Sequence, residues 1–302
     1  MNAANAEWAK RAERGSTFWL SVMRHLALRL GRTPARLLLY PITLYFLLFA
    51  GQAGAASRDY LTRLFGRPPR LAERWRHFFS FAATVLDRLY LLNDRDELFE
   101  IEIEGRELIE AAMARGDGVF LLGSHLGSFE ALRAAGRWYS GLRVTLVMYP
   151  DNARQIHAAL AAINPALQST IVPLGQLDSM LEVKARLEAG DLVGMLGDRS
   201  PRQEAMAHRP LLGSDAAFPL GPLRLAALMR RPVLFMCGLY LGGKRYRLHF
   251  SELADFAAIE RGSREAAVQA ALTDYVARLE QQCHAAPYNW FNFYDFWADH
   301  AD

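Results

Sequence analysis

The architecture follows from residues 117–139, which read Asp-Gly-Val-Phe-Leu-Leu-Gly-Ser-His-Leu-Gly-Ser-Phe-Glu-Ala-Leu-Arg-Ala-Ala-Gly-Arg-Trp-Tyr. Val119 to Leu122 is a short apolar run behind a Gly-Asp-Gly sequence, which predicts a buried strand. Ser128 is typical of a helix N-cap, and apolar residues follow it at helical spacing. The stretch therefore predicts a strand, a glycine-flanked loop and a helix.

His125 lies in the predicted loop and Glu130 in the first helical turn, in the pattern His-x4-Glu. A His at the carboxyl end of a buried strand points into the crevice where open α/β sheets bind ligands. A carboxylate one turn into the helix can reach back to the imidazole, fix its tautomer and stabilise its charged form. This indicates a general base acting on a hydroxyl or amine without a Ser or Cys nucleophile. Judged by spacing alone, a loop His beside a Glu that only favours the helix dipole is the commoner case.

Three ordered blocks strengthen the catalytic interpretation. Gly123-Ser-His-Leu-Gly-Ser-Phe-Glu130 resembles the signature of the lipid A late acyltransferases, the lauroyl and myristoyl transferase family, and more widely of the glycerolipid acyltransferase superfamily. Met195-Leu-Gly-Asp-Arg199 resembles the second block of that family, with a departure from its usual Asp-Gln-Asp, and Phe218–Ala226 resembles the third. The resemblance covers roughly residues 15–297 and implies His125 as general base with Glu130 as its partner.

The length permits one large domain, or one domain with a membrane-binding extension. The 302 residues are 52% hydrophobic and carry a net charge of only +3, so overall charge indicates little about partners. Cys237 and Cys283 provide no disulfide framework, which fits a reducing compartment. Residues 1–17 lack the apolar core and cleavage site of a signal peptide.

Residues 1–56 are expected to form a basic, membrane-associating helical element, and residues 57–302 the acyltransferase domain. Residues 1–36 carry seven Lys or Arg against two Glu, a local charge of +5 that suits an anionic leaflet. Residues 37–50 are uncharged but number only 14 and include Pro41, whereas a span needs about 20 apolar residues. We therefore expect helices lying in the interface; an apolar hairpin packed on the domain's own core is the alternative.

The remainder predicts an α/β fold with a mixed, mostly parallel sheet flanked by helices. Helical spacing covers 58–65, 71–89, 106–114, 152–163, 176–189, 221–230 and 263–283, and strand patterns cover 99–104, 143–148, 170–173, 192–196, 232–240 and 244–250. The last two strands should form an antiparallel hairpin through Gly242-Gly243. Residues 200–215 are predicted to be a mobile loop over the cleft, in which His208 and Arg209 either contact an acyl-carrier phosphopantetheine or are simply solvated.

Further candidate site residues follow the strand at 192–196. Asp198 and Arg199 should emerge at the same sheet end as His125. Arg199 or Arg154 is a candidate for stabilising an oxyanion on a thioester carbonyl, Asp198 for orienting that Arg or binding an acceptor, and Ser128 for contacting substrate. A structural Asp-Arg ion pair explains Asp198 and Arg199 equally well. No zinc-ligand spacing, Walker A sequence or dinucleotide fingerprint occurs, and no metal or cofactor is expected.

The resemblance implies an acyltransferase at the cytoplasmic face of a Gram-negative inner membrane. Its donor would be an acyl-carrier-protein or acyl-CoA thioester and its acceptor a lipid hydroxyl, with acyl carrier protein as partner and no nucleic acid. Pro287 and Trp290 fit the family's Pro-x-x-Trp, and the aromatic extension to Trp297 resembles the acyltransferases of aryl polyene clusters. This tail is expected either to wall an acyl channel or to pack beneath the sheet. A thioesterase or lipid hydrolase, and a non-catalytic lipid-binding scaffold, are the competing functions.

Overall fold

The structure is a computed structural model that describes residues 27–136, 143–149, 171–174, 177–199 and 205–298. The strands in these ranges are β1 (Glu100–Glu104), β2 (Val119–Gly123), β3 (Val144–Met148), β4 (Ile171–Pro173), β5 (Leu192–Leu196), β6 (Met206–Leu211), β7 (Ser214–Pro219), β8 (Pro232–Gly242) and β9 (Arg245–Asp255). The α-helices are α1 (Arg32–Leu37), α2 (Leu39–Phe49), α3 (Gly51–Phe65), α4 (Leu71–Leu91), α5 (Arg106–Arg115), α6 (Phe129–Gly136), α7 (Leu177–Glu188), α8 (Gly221–Met229) and α9 (Arg264–Ala285).

In the described ranges, seven strands form one sheet in the order β1-β9-β8-β2-β5-β3-β4. Neighbouring strands are parallel except β8 and β9, which form an antiparallel hairpin. This confirms the predicted mixed, mostly parallel sheet and the hairpin. Helices cover both faces, and the core consists mainly of two apolar clusters, one on each face of the sheet. β2 lies in the middle and is buried along its whole length, as a continuous apolar run predicts.

A similar glycine turn precedes each of the two central strands β2 and β5. Gly116 ends α5 with φ 69°, and Gly190 follows α7 with φ 83°, a region that favours glycine. Gly118 is needed for a different reason, because a Cβ there would lie 2.5 Å from the Cα of Leu187. These turns bring β2 and β5 side by side in parallel, with Gly123 opposite Leu196, so that both strands end at the same edge.

The prediction of a loop over residues 200–215 was wrong for the part that the structure describes. Residues 206–219 form the hairpin β6–β7, and the turn is made by Leu212 and Gly213 with φ 51° and 77°. Arg209 binds α9 through the side chains of Gln269 and Thr273 at 2.7 and 2.9 Å, so it is held by the protein. His208 contacts Asp215 across the hairpin at 2.6 Å. The predicted helix at 152–163 lies outside the described residues.

The N-terminal helices attach to the sheet through a buried ion pair. Arg32 makes two hydrogen bonds to Asp87 at 2.7 and 2.8 Å, and Asp87 also accepts one from the Tyr246 hydroxyl at 2.8 Å. In the described residues no single helix is long and apolar enough to cross a membrane; residues 32–49 and 51–65 reach that length and composition only together, with a 90° bend between them. The division predicted at residue 56 falls within α3, and it stays a prediction.

Candidate active site

His125 lies two residues beyond β2, in a loop pressed against two other parts of the chain. Gly127 forms a bridge to Gly238 of β8, and its N–H donates to the Asn289 carbonyl at 2.8 Å. Gly127 has φ 76°, and any Cβ there would collide with the Gly238 carbonyl oxygen. The Phe291 N–H donates to the His125 carbonyl at 2.8 Å. The loop is therefore held on both sides, which fixes the backbone of His125.

Asp198 holds the imidazole of His125. The distance from His125 Nδ1 to Asp198 Oδ1 is 2.8 Å, and the His125 backbone N–H donates to Asp198 Oδ2 at 2.9 Å. Asp198 follows β5, the parallel neighbour of β2, so the two residues meet although 73 positions separate them. Because a carboxylate only accepts hydrogen bonds, Nδ1 carries the proton and Nε2 carries the lone pair. The prediction that both emerge at one sheet end is confirmed.

Three donors share the other oxygen of Asp198. Besides the His125 N–H, Oδ2 accepts from Trp290 Nε1 at 3.2 Å and from Asn292 Nδ2 at 2.9 Å. Burial alone would raise the pKa of Asp198, but the positive charge that His125 carries at acid pH, the hydrogen bonds from His125 and the charge of Arg199 hold that pKa well below its usual range. Asp198 is therefore ionised in the folded protein at ordinary pH.

His125 is a neutral base at physiological pH. Burial and the charge of Arg199 lower its pKa below the ordinary value of 6.5, and they outweigh the opposing effect of Asp198. Its side chain nevertheless keeps 28% of its surface exposed, so a substrate can reach it. The unprotonated form, which accepts a proton, thus dominates at neutral pH.

Arg199 lies over the imidazole. Its Nε is 2.9 Å from both ring nitrogens of His125. Because an atom in the ring plane at that distance from both nitrogens would overlap Cε1, Arg199 Nε lies above the face of the ring. The guanidinium also faces the ring of Tyr294, 5.8 Å from its centroid. Arg199 is therefore close to the base, as predicted, whereas its role at an oxyanion stays a prediction. Arg154 lies outside the described residues.

Glu130 does not reach the imidazole in this structure. Its Oε1 is 2.7 Å from Arg88 Nε, and its Oε2 accepts a hydrogen bond from Ser128 Oγ at 3.1 Å. Ser128 Oγ also accepts from the Ala131 N–H at 3.4 Å, as the predicted N-cap requires. Asp198, and not Glu130, therefore occupies the position expected for the residue that orients His125. A catalytic contribution of Glu130 stays a prediction.

We expect Glu130→Gln and Arg88→Gln each to lower kcat/KM about 10-fold, with little further loss when they are combined. The two side chains form one ion pair beside the His125 loop, so removing either partner disturbs the same contact. A double-mutant cycle on kcat/KM measures this coupling. Effects that simply multiply would show that Glu130 acts independently of Arg88.

Sequence reasoning missed the part that the C-terminal segment plays in this site. Trp290 was singled out only through a family pattern and Asn292 not at all, yet both donate to Asp198. His77 on α4 supports the same segment, because its Nε2 is 2.8 Å from the Trp290 carbonyl oxygen and its Nδ1 is 2.9 Å from Ser57 Oγ. The Asn and Trp side chains within an aromatic tail were the available signal.

No group of three or more His, Cys, Asp or Glu residues that could hold a metal ion occurs in the described ranges. The cofactor-free chemistry expected from the sequence stays a prediction.

Comparison with known proteins identifies the family. The family model of bacterial lipid A biosynthesis acyltransferases matches residues 11–298. No curated protein sequence matches the chain. Among solved structures it is similar to the 1-acyl-sn-glycerophosphate (LPA) acyltransferase PlsC from Thermotoga maritima, with 14% identity, coverage of 87% of this chain and 96% of that one, and a TM-score of 0.37. Because the family match spans nearly all of the sequence, the chain belongs to the bacterial lipid A biosynthesis acyltransferase family and is an acyltransferase that acts on lipids.

Proposed function

We propose that this enzyme works at a membrane and moves a fatty or polyene acyl chain from an acyl-carrier-protein thioester to a hydroxyl of a lipid acceptor. The acceptor is a lipid A-like molecule or an aryl polyene lipid, at the cytoplasmic face of the inner membrane. One observation carries the chemistry: buried Asp198 fixes Nδ1 of His125 at 2.8 Å, which leaves Nε2 of a partly exposed, neutral imidazole for the substrate.

In the proposed reaction, His125 Nε2 removes the proton from the acceptor hydroxyl as its oxygen bonds to the thioester carbonyl carbon. The imidazolium that forms is stabilised by the adjacent carboxylate of Asp198. Arg199 carries a positive charge next to the base, with Nε 2.9 Å from His125 Nε2, and is our candidate for balancing the tetrahedral oxyanion. Collapse of that intermediate breaks the C–S bond, and the thiolate leaves with the proton from the imidazolium. The products are the acyl ester and the free thiol.

Direct transfer without an acyl-enzyme fits the state of the cysteines. Burial raises the pKa of the Cys237 thiol far above its ordinary value and that of Cys283 to about 12, so neither forms a nucleophilic thiolate. Ser128, the serine in the loop after His125, is occupied with Glu130 and the helix N-terminus. A ternary complex of enzyme, donor and acceptor is therefore the mechanism we propose.

The outer surface of α2 supports the proposed membrane location. Tyr45, Leu48 and Phe49 are 60%, 63% and 70% exposed, and their neighbours on the helix are similarly apolar. An apolar face of this size is costly in water, and aromatic side chains on it suit the boundary between head groups and acyl chains.

Mass spectrometry of lipids tests this function. We expect cells that express the wild type to contain a lipid heavier by one acyl chain, absent from cells that express His125→Gln at equal level. An added acyl chain on lipid A would identify lipid A as the acceptor, and an added acyl chain on another lipid would support the aryl polyene lipid. Purified enzyme with acyl-carrier-protein or acyl-CoA thioesters identifies the donor. Release of free acid in the presence of acceptor would favour a hydrolase, and identical lipids in both cultures and in vitro would favour a scaffold.

A further inference from the structure

A cavity of about 510 Å³ lies between α4, the turn of the β8–β9 hairpin and residues 285–289. Two arginines and four aromatic side chains characterise its lining, namely Arg36, Arg76, Trp75, Phe79, Tyr240 and Tyr288. None of the hydrogen bonds that hold His125 or Asp198 involves these six residues. The cavity is therefore separate from the catalytic contacts.

Both arginines of the cavity lack an ion pair with a carboxylate in the described ranges. Arg36 Nη2 donates to the Tyr240 hydroxyl at 2.9 Å, while its Nη1 is buried and has no hydrogen-bond partner in those ranges. Arg76 faces the Tyr288 ring, 6.0 Å from the centroid. One turn earlier on α1, Arg32 is satisfied by Asp87. Arg36 and Arg76 therefore bring two positive charges to the cavity that no carboxylate of the described ranges pairs with, and an anion bound there would gain charge-assisted hydrogen bonds.

The wall of the cavity continues onto the exposed apolar surface of α2. The ring of Tyr40, which is 53% exposed, lies 6.3 Å from the Trp75 centroid and 5.2 Å from the Phe79 centroid. A ligand whose anionic group reaches Arg36 can therefore lay an apolar portion along α2. An acidic peptide or a free ion would leave that apolar continuation uncovered, whereas a lipid matches both parts.

We propose that this cavity binds the phosphate head group of an anionic membrane lipid, with the acyl chains of that lipid against α2. The two guanidiniums supply charge-assisted hydrogen bonds to the phosphate oxygens, and the aromatic rings lie at the level of the glycerol backbone. Bound lipid would also contact a residue that holds the His125 loop, because Asn289 lines the cavity and its carbonyl accepts the Gly127 N–H. The site does not depend on which acyl acceptor the enzyme uses.

Vesicle flotation with the full chain tests the proposal. The probes are vesicles of phosphatidylcholine alone and of phosphatidylcholine and phosphatidylglycerol in equal parts. We expect Arg36→Gln/Arg76→Gln to weaken binding to the anionic vesicles about 30-fold, since each cation near the surface contributes about 1 kcal/mol, and to leave binding to the neutral vesicles unchanged. The matched control is Arg58→Gln/Arg70→Gln, which removes the same charge from α3 and the start of α4 outside the cavity. We expect it to bind within about 3-fold of the wild type.

Equal losses in both double variants would overturn the proposal, because general attraction between charges would then explain binding. Ser80→Trp provides a second test that keeps every charge and fills the cavity, which Ser80 also lines. We expect it to weaken binding to anionic vesicles as well, and full binding by this variant would contradict a lipid in the cavity. Unchanged vesicle binding by Arg36→Gln/Arg76→Gln, with a weakened complex with acyl carrier protein, would assign the cavity to the carrier's phosphate instead.

Discussion

Replacing Asp198 with asparagine is expected to lower kcat about 10³- to 10⁴-fold without unfolding the protein. Three donors converge on Oδ2 of Asp198, from His125 N, Trp290 and Asn292. The single oxygen of an asparagine must take that position, which turns its NH₂ group toward His125 Nδ1. Nδ1 then has to accept a hydrogen bond, so the proton moves to Nε2 and the base loses its lone pair on the substrate side.

The pH dependence separates this tautomer effect from a pKa effect. In the wild type the pKa of His125 is lowered by burial and by Arg199, so the base form dominates at neutral pH and kcat/KM should begin to fall only at a lower pH than for an ordinary histidine. Asp198 opposes that lowering, so its neutralisation moves the pKa of His125 further down. The variant is thus already unprotonated at pH 7, and a higher pH should not restore its activity.

Asp191→Asn is the matched control. Asp191 is also buried, being 1% exposed, and it accepts hydrogen bonds from Arg143 and Thr145. It precedes β5, whereas Asp198 follows that strand. We expect its kcat within about 3-fold of the wild type even if the melting temperature falls. Single-turnover rates and the ¹⁵N chemical shifts of the His125 ring test both expectations. Wild-type kcat in Asp198→Asn, or an unchanged ring tautomer, would refute the assignment of Asp198.

Trp290→Ala is expected to reduce the free energy of unfolding by about 3–5 kcal/mol and to lower activity as well. Trp290 is fully buried, with its ring centroid 5.1 Å from that of Tyr60 and 4.7 Å from that of Phe296. Alanine would leave a large cavity beside Asp198 and remove one of its donors. Denaturant unfolding measures the stability, and kcat on the folded fraction measures the activity.

Two variants separate packing from hydrogen bonding at this position. Trp290→Phe keeps an aromatic ring but loses the N–H to the Asp198 carboxylate, so its stability loss should stay at about 1.5–3 kcal/mol. Trp297→Ala truncates a neighbouring, half-buried Trp and should cost less than Trp290→Ala. If Trp297→Ala were as destabilising as Trp290→Ala, the central role of Trp290 in the segment would be wrong.

The sheet was predictable because short stretches of sequence carry the hydrophobic patterns of its strands. Val119–Leu122 and residues 192–196 are continuous apolar runs behind glycine turns, and both became buried parallel strands. The hairpin at residues 206–219 was missed because its turn contains Leu212 at φ 51°, a residue that does not signal a left-handed turn, and because Pro210 interrupts the strand pattern.

The site was only partly predictable for a related reason. His125 and the strand end that carries Asp198 follow from local patterns, and the sheet rule placed them together. Which carboxylate binds the imidazole depends on side-chain direction, and Arg88 on α4 draws Glu130 away from it. A helix 42 positions earlier leaves no trace in the His-x4-Glu spacing. The donors from Trp290 and Asn292 depend equally on tertiary packing.

The support of His125 by residues 289–292 has a consequence for the order in which the enzyme matures during synthesis. Every strand of the sheet leaves the ribosome before Asn289, Trp290 and Asn292, and the exposed apolar helix α2 leaves long before them. During synthesis the proposed membrane-binding helix is therefore complete while the His125 loop still lacks its hydrogen bonds with Asn289 and Phe291. Because residues 289–292 hold the His125 loop, the site forms only after the strands of the described sheet have been made.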